Sequence, residues 1–152
     1  MKKLISMAMA LTIAAASFVF TAADADANER YGKQKVVYHI NYDGGQDDKK
    51  YRGAMRNIQN HINAVGAENM DIKVVLHGNG LLSQAKANEG LRGQVLELKG
   101  QNVAVHVCNN TLKGPKISYE NDLFDVYAEH IVPSGVAELS HLQMQGYTYI
   151  KP

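Results

Sequence analysis

The chain has 152 residues, 45% of them hydrophobic and 20% charged, with 13 Gly, 3 Pro, one Cys and no Trp. These figures lie near the average for folded proteins, so disordered, collagen-like and disulfide-scaffold classes are excluded and a single domain is expected. Sixteen Lys and Arg against fifteen Asp and Glu leave a formal charge of +1, and no basic run exceeds two residues, so no nucleic-acid partner is expected.

Lys2 and Lys3 precede an uncharged stretch, residues 4–23, whose apolar centre (8–20) runs into Ala22-Ala23-Asp24-Ala25-Asp26-Ala27. A positive start, an apolar middle and small residues at the end describe a secretory signal peptide over residues 1–27, cleaved after Ala23, Ala25 or Ala27. The competing reading is an uncleaved anchor. A span needs about twenty apolar residues, and Ser6, Thr12, Ser17 and many alanines dilute this one. The expectation is therefore a periplasmic protein of residues 28–152, free of the membrane after cleavage. Loss of Lys2, Lys3, Asp24 and Asp26 with the leader keeps the charge at +1. Cys108 is the only cysteine, so no internal disulfide forms; its thiol is buried and inert, paired with another molecule, or free and used.

Residues 35–42 (KVVYHINY) are β-branched and aromatic and end in Asp43-Gly44-Gly45, which reads as a strand and a turn. From 48 to 65 the period changes: Tyr51, Ala54, Met55, Ile58, Ile62 and Val65 recur at three and four, an amphipathic helix closed by Gly66. A second strand at 71–76 runs into His77-Gly78-Asn79-Gly80, followed by a short helix at 81–87. Leu91, Val95 and Leu98 mark the next helix, which Gly100 stops. A third strand, 102–107, delivers Cys108. A brief helical turn is expected at 123–127, a short strand at 130–132, a helix at 136–145 and a last strand at 147–150. This alternation predicts an α/β fold with a mainly parallel sheet covered on both faces.

Ligands of open parallel sheets bind beyond the carboxyl ends of the strands. Four polar clusters follow the predicted strands: Asn41-Tyr42-Asp43, His77-Gly78-Asn79, Cys108-Asn109-Asn110-Thr111 and Ser134-Gly135. Cys108 opens a short helix, where unpaired N–H groups favour thiolate, the form a sulfur nucleophile needs. A buried structural cysteine is the alternative. His77 is placed to stabilise that thiolate as imidazolium or to pass a proton, or else it merely bonds a nearby carbonyl. His106 shares a face with Cys108, so a Cys-His metal site competes with a satisfied core histidine; His39 reads as structural, and His61 and His130 have no evident partner. Asn109, Asn110 and Thr111 offer donors beside the sulfur or cap the next helix turn, and Asp43, Asp47 and Asp48 fit turn and N-cap duty. Nucleotide, zinc-protease, haem and α/β-hydrolase motifs are absent, so no cofactor and no metal is expected.

Six segments carry a family resemblance: Tyr38-His39-Ile40-Asn41, Asn57-Ile58-Gln59-Asn60-His61-Ile62, Val75-Leu76-His77-Gly78, Val107-Cys108-Asn109-Asn110-Thr111-Leu112, Val132-Pro133-Ser134-Gly135-Val136-Ala137-Glu138-Leu139, and Gly146-Tyr147-Thr148-Tyr149-Ile150-Lys151-Pro152. From about Val36 to Pro152 the chain resembles the DsrE family of sulfur-relay and sulfur-oxidation proteins, in its exported branch. The resemblance implies a three-layer α/β/α sandwich with a five-stranded parallel sheet, assembly into homo-oligomers, and sulfur carried as a persulfide on the cysteine after a central strand, a position Cys108 matches. It also implies a sulfur donor or acceptor protein as partner. The chain departs from the relay subunits in its signal peptide and in lacking their basic residues shortly after the cysteine, which argues against tRNA thiolation. The expected site comprises Cys108 and His77, with Asn41, Gly78, Asn79, Asn109, Asn110, Thr111, Ser134 and Gly135 around them. The competing functions are a small-ligand or metal-binding module and a structural oligomer with a buried cysteine.

Overall fold

The computed structural model describes residues 30–152. The expected leader lies outside the described residues.

Five parallel strands form one sheet in the order β4-β3-β2-β1-β5. They are β1 (Gln34–Ile40), β2 (Met70–Leu76), β3 (Val103–Cys108), β4 (Ile131–Val132) and β5 (Thr148–Ile150). Side chains alternate across a strand, and the register settles which residues share a face. Val36, Tyr38 and Ile40 of β1 lie beside Ile72, Val74 and Leu76 of β2 and Val103, Val105 and Val107 of β3, all buried. This face packs on α1 (Lys49–Val65), through Tyr51, Ala54, Met55, Ile58 and Ile62, and on α2 (Arg92–Lys99), through Val95 and Leu98. Each fully buried Ile or Leu here contributes about 1.5–3 kcal/mol.

The opposite face carries Val37 and His39, Val75 and His77, and His106 and Cys108. Among the described residues a single helix, α5 (Gly135–Met144), covers it, with Leu139, Leu142 and Tyr147 packed on Val37 and Val75. Helices on both faces make the three-layer α/β/α sandwich expected from the alternation.

Boundaries differ from the sequence reading where backbone chemistry overrides pattern. Asn102 takes φ 64 and turns the chain, so β3 begins one residue later and includes Cys108. The short helix expected at 81–87 lies three residues earlier and is not an α-helix. Gly78 to Gln84 wind as a 3-10 helix, entered through Gly78 at φ 53, and Ala85 then pairs antiparallel with Leu123. The helical turn expected at 123–127 lies earlier, in α4 (Tyr119–Asp122), which follows α3 (Asn109–Lys113). Ser118 Oγ accepts from Asn121 N–H at its start and Asp122 Oδ2 accepts from Ser118 N–H. Asp125, at φ 55, is incompatible with helix there. Asp43 does serve the turn, accepting from Gly45 N–H at 2.9 Å, but Asp48 precedes α1 without a side-chain cap bond.

Candidate functional site

The register aligns Leu76 with Val107, so His77 and Cys108 leave adjacent strand ends on the face that α5 covers. Cys108 is the N-cap residue of α3, and its sulfur makes no short capping bond. Ser134 caps α5, its Oγ accepting from Ala137 N–H at 3.4 Å, which places Gly135 as the first helical residue directly over the two strand ends. A Cβ at Gly135 would lie 3.1 Å from His77 Cβ and 3.2 Å from Cys108 Cβ. Space rather than conformation favours glycine here, since its φ is ordinary.

Cys108 is buried, 5% exposed. Burial raises its pKa, but the N–H of Gly135, the hydroxyl and N–H of Thr111 and the N–H of Asn110 together outweigh burial and hold it below the ordinary thiol value. The Thr111 hydroxyl is itself oriented, because its oxygen accepts from Gly78 N–H at 2.9 Å. First-turn N–H groups of α3 and α5 thus both lower the pKa of one thiol. The arrangement favours a thiolate.

His77 does not supply that stabilisation. Its Nε2 lies 2.6 Å from Nε2 of His39, and Nδ1 of His39 lies 2.7 Å from the hydroxyl of Tyr149. Burial first and the charge of Lys151 second hold the pKa of His77 down; burial, His77 and Lys151 push that of His39 down to about 4. Both imidazoles are neutral at neutral pH, so of the roles open to His77 the imidazolium beside the thiolate is not formed at rest.

The remaining sequence candidates divide. Thr111, Gly135 and the backbone of Asn110 act on the sulfur, Gly78 reaches it only through the Thr111 hydroxyl, and Ser134 serves it through the helix cap. Asn41 follows β1 with its carbonyl beside Gly78. The Asn79 carbonyl accepts from the Tyr51 hydroxyl at 2.5 Å, on the α1 side of the sheet. Asn109 borders a separate surface hollow of about 440 Å³ with Leu112, Lys113 and Tyr119. His106 is engaged by Glu138 at 2.8 Å, His61 lies between Tyr38 and Gln34 at 2.8 Å from each, and His130 Nδ1 accepts from Tyr127 N–H. Among the described residues no group of three or more His, Cys, Asp or Glu is placed to hold a metal. The site members that sequence reasoning missed are His39 and Tyr149. Odd spacing on β1 put His39 on the same face as His77, but the nearness of Tyr149 depends on β5 pairing with β1, which the linear order does not reveal.

A single thiol at the carboxyl end of a parallel strand, its pKa lowered by neighbouring N–H groups, sits in a small three-layer α/β/α protein. The chain belongs to the DsrE/DsrF-like family, whose model matches residues 35–152. Among solved structures it is similar to the protein of unknown function MTH1491 from Methanobacterium thermoautotrophicum, at 29% identity and TM-score 0.67, over 79% of this chain and 100% of that one. It shares the fold of the ychN protein from E. coli, at 15% identity and TM-score 0.61, over 78% and 99% of the two chains. No functionally curated protein matches the sequence significantly.

Proposed function

We propose that this protein is an exported sulfur carrier that takes sulfane sulfur onto Cys108 as a persulfide and passes it to an acceptor thiol. The observation that carries the reading is the set of N–H and hydroxyl donors around the only thiol of a DsrE-family chain. In loading from polysulfide, the Cys108 thiolate attacks a sulfur of the donor. The Sγ–S bond forms, an S–S bond of the donor breaks, and the shortened polysulfide leaves with one proton taken up; sulfane sulfur changes carrier without net oxidation. An exposure of 5% suits a small anionic donor rather than a bulky one.

Intact-mass analysis after incubation with polysulfide tests this. One added sulfur atom in the parent protein and none in Cys108→Ser is the expected result; no addition overturns it. The same low exposure favours a second reading, a structural cysteine, for which a small alkylating reagent reacts only after unfolding.

Export and assembly belong to the same proposal. The leader pattern at residues 1–27 supports export, and mass analysis of the exported chain is expected to find a new N-terminus between Asp24 and Asn28; Met1 retained in a membrane fraction overturns it. Among the described residues no helix is long and apolar enough to cross a membrane. Self-assembly is supported by the sheet edges at β4 and β5 and by Val136 and Met144 on α5, 66% and 78% exposed. Light scattering at micromolar concentration is expected to give a multiple of the monomer mass.

A further inference from the structure

Two contacts join α5 to β3 on the face that carries Cys108. Cys108 and His106 stand two residues apart on β3 and so share that face, while Gly135 and Glu138 stand three apart on α5 and so share one side of the helix. The first contact is Gly135 with Cys108, where a Cβ at Gly135 would meet Cys108 Cβ at 3.2 Å. The second lies deeper along the strand, Glu138 Oε1 with His106 Nδ1 at 2.8 Å. Of the first four residues of α5, Val136 and Ala137 are exposed, Gly135 is buried and Glu138 is half-buried, so the sheet-facing side of the first turn consists of Gly135 and Glu138. Glu138 also closes that turn, its N–H donating to the Ser134 carbonyl at 2.9 Å.

The pair is placed to hold one element on another. A carboxylate only accepts, so His106 Nδ1 carries the proton and donates it. The side chains of His106 and Glu138 are 21% and 16% exposed, and water and salt screen such a pair less than a surface one. His106 stands inside the ladder, opposite Val75 of β2, so the bond ties the helix to a strand that cannot shift alone. Leu139 and Leu142 pack instead on Val37 of β1 and Val75 of β2. Among the described residues Glu138 makes the one side-chain hydrogen bond from α5 to the sheet. Just before β4, His130, its pKa lowered by burial first and then by Lys99, also feels His106.

We infer that Glu138 and His106 clamp the first turn of α5 to β3 and thereby hold the Gly135 N–H in place at Cys108, which makes both of them positioning residues for sulfur uptake. The inference rests on the carrier reading above for what the thiol does, and adds what keeps the helix start in place. Two other roles for Glu138 depend on its charge. An acidic side chain in the first turn stabilises a helix through the macrodipole, and a carboxylate near a thiol disfavours the thiolate. The clamp needs the hydrogen bond, so replacing Glu138 by Gln and by Ala separates the three.

The test measures iodoacetamide alkylation of Cys108 from pH 6 to 10, and the urea midpoint, for Glu138→Ala, Glu138→Gln, His106→Ala and the double alanine variant. Leu142→Val, further along the same helix, is the control. Glu138→Ala and His106→Ala are each expected to raise the apparent thiol pKa and to slow alkylation at pH 7 about five-fold, as for a weakened hydrogen bond to a charged group. The double variant is no slower than either single one, because each alone breaks the clamp. Glu138→Gln, which keeps an acceptor oxygen, recovers most of the rate. Leu142→Val lowers the urea midpoint and leaves the thiol pKa where it was. Parent-like alkylation in Glu138→Ala overturns the clamp. So does faster alkylation in both Glu138 variants, the effect of a bare charge, and so does a thiol pKa that follows the urea midpoint in every variant, Leu142→Val included. Sulfur loading of the parent is measured separately: no uptake overturns the carrier reading, while the alkylation series still decides the clamp.

Discussion

Gly135 and Cys108 meet at a helix start: the Gly135 N–H is among the groups that lower the thiol pKa, and the space a side chain at Gly135 would fill is narrowed by Cys108 Cβ at 3.2 Å and His77 Cβ at 3.1 Å. The same residue therefore supplies a donor and enforces the closeness that makes the donor effective.

Gly135→Ala is expected to push α5 off the strand ends by a few tenths of an ångström. Overpacking costs about 1–3 kcal/mol, and the better helix propensity of Ala offsets up to about 1 kcal/mol of it. Stability then falls only modestly, whereas Cys108 loses a donor. Alkylation at pH 7 is expected to drop roughly five-fold, consistent with about 1 kcal/mol for a weakened hydrogen bond to a charged group. Urea unfolding and alkylation kinetics on one sample separate the two effects.

Thr111→Val keeps the shape and removes the hydroxyl that lies between Gly78 N–H and the sulfur. The thiol pKa is expected to rise and native-state alkylation at neutral pH to slow. Leaving Gly78 N–H without its acceptor costs about 1–3 kcal/mol where water cannot replace it. Thr111→Ser, which retains the hydroxyl, is expected to restore most of the reactivity.

His39 gives stability a defined pH dependence. Its pKa falls from the ordinary 6.5 in the unfolded chain to about 4 in the fold, with burial the main cause. Between those values the unfolded chain binds the proton and the native one does not, so stability rises with pH in this window. Stability is complete above about pH 6.5 and is lost progressively down to about pH 4. Denaturant midpoints measured from pH 4 to 8 are expected to fall more steeply in the parent than in His39→Gln.

The strand and helix order, the buried stripe of α1 and the gathering of polar residues at the carboxyl edge were legible because period and Gly placement encode them locally. Cys108 and Gly135 were legible for the same reason, each standing where a strand or cap hands over to a helix. The pairing of His77 was not. A lone sequence shows a histidine beside a cysteine in space only as two strand ends, and gives no sign that His39 claims its Nε2 or that burial and Lys151 lower its pKa. The turns at 78–84 and 119–122 were misplaced because positive φ at Gly78 and Asp125 and the Ser118–Asp122 pair set their boundaries, and these are contacts rather than periodicities.

Gly80 is the most sensitive glycine outside the site. Its φ is not in the left-handed region, so conformational freedom does not explain it. Space does: a Cβ would lie 2.0 Å from the Ile40 carbonyl oxygen and 2.6 Å from the Ile40 carbonyl carbon. Both are backbone atoms at the end of a central strand, held by pairing of β1 with β2 and β5, and neither can turn aside as a flexible side chain would. The 3-10 segment must then lift away from β1. That movement strains Ser83 Oγ, which donates to the Gly80 carbonyl at 2.8 Å, and Tyr51, whose hydroxyl, on a fully buried ring, donates to Asn79 O at 2.5 Å with Tyr42 O 3.0 Å away. It also carries Gly78 N–H away from Thr111. Gly80→Ala is accordingly expected to cost more than about 3 kcal/mol, beyond the usual range for a single added methyl, and to slow Cys108 alkylation in whatever fraction remains folded. A urea midpoint within error of the parent would show that β1 and the 3-10 segment separate easily.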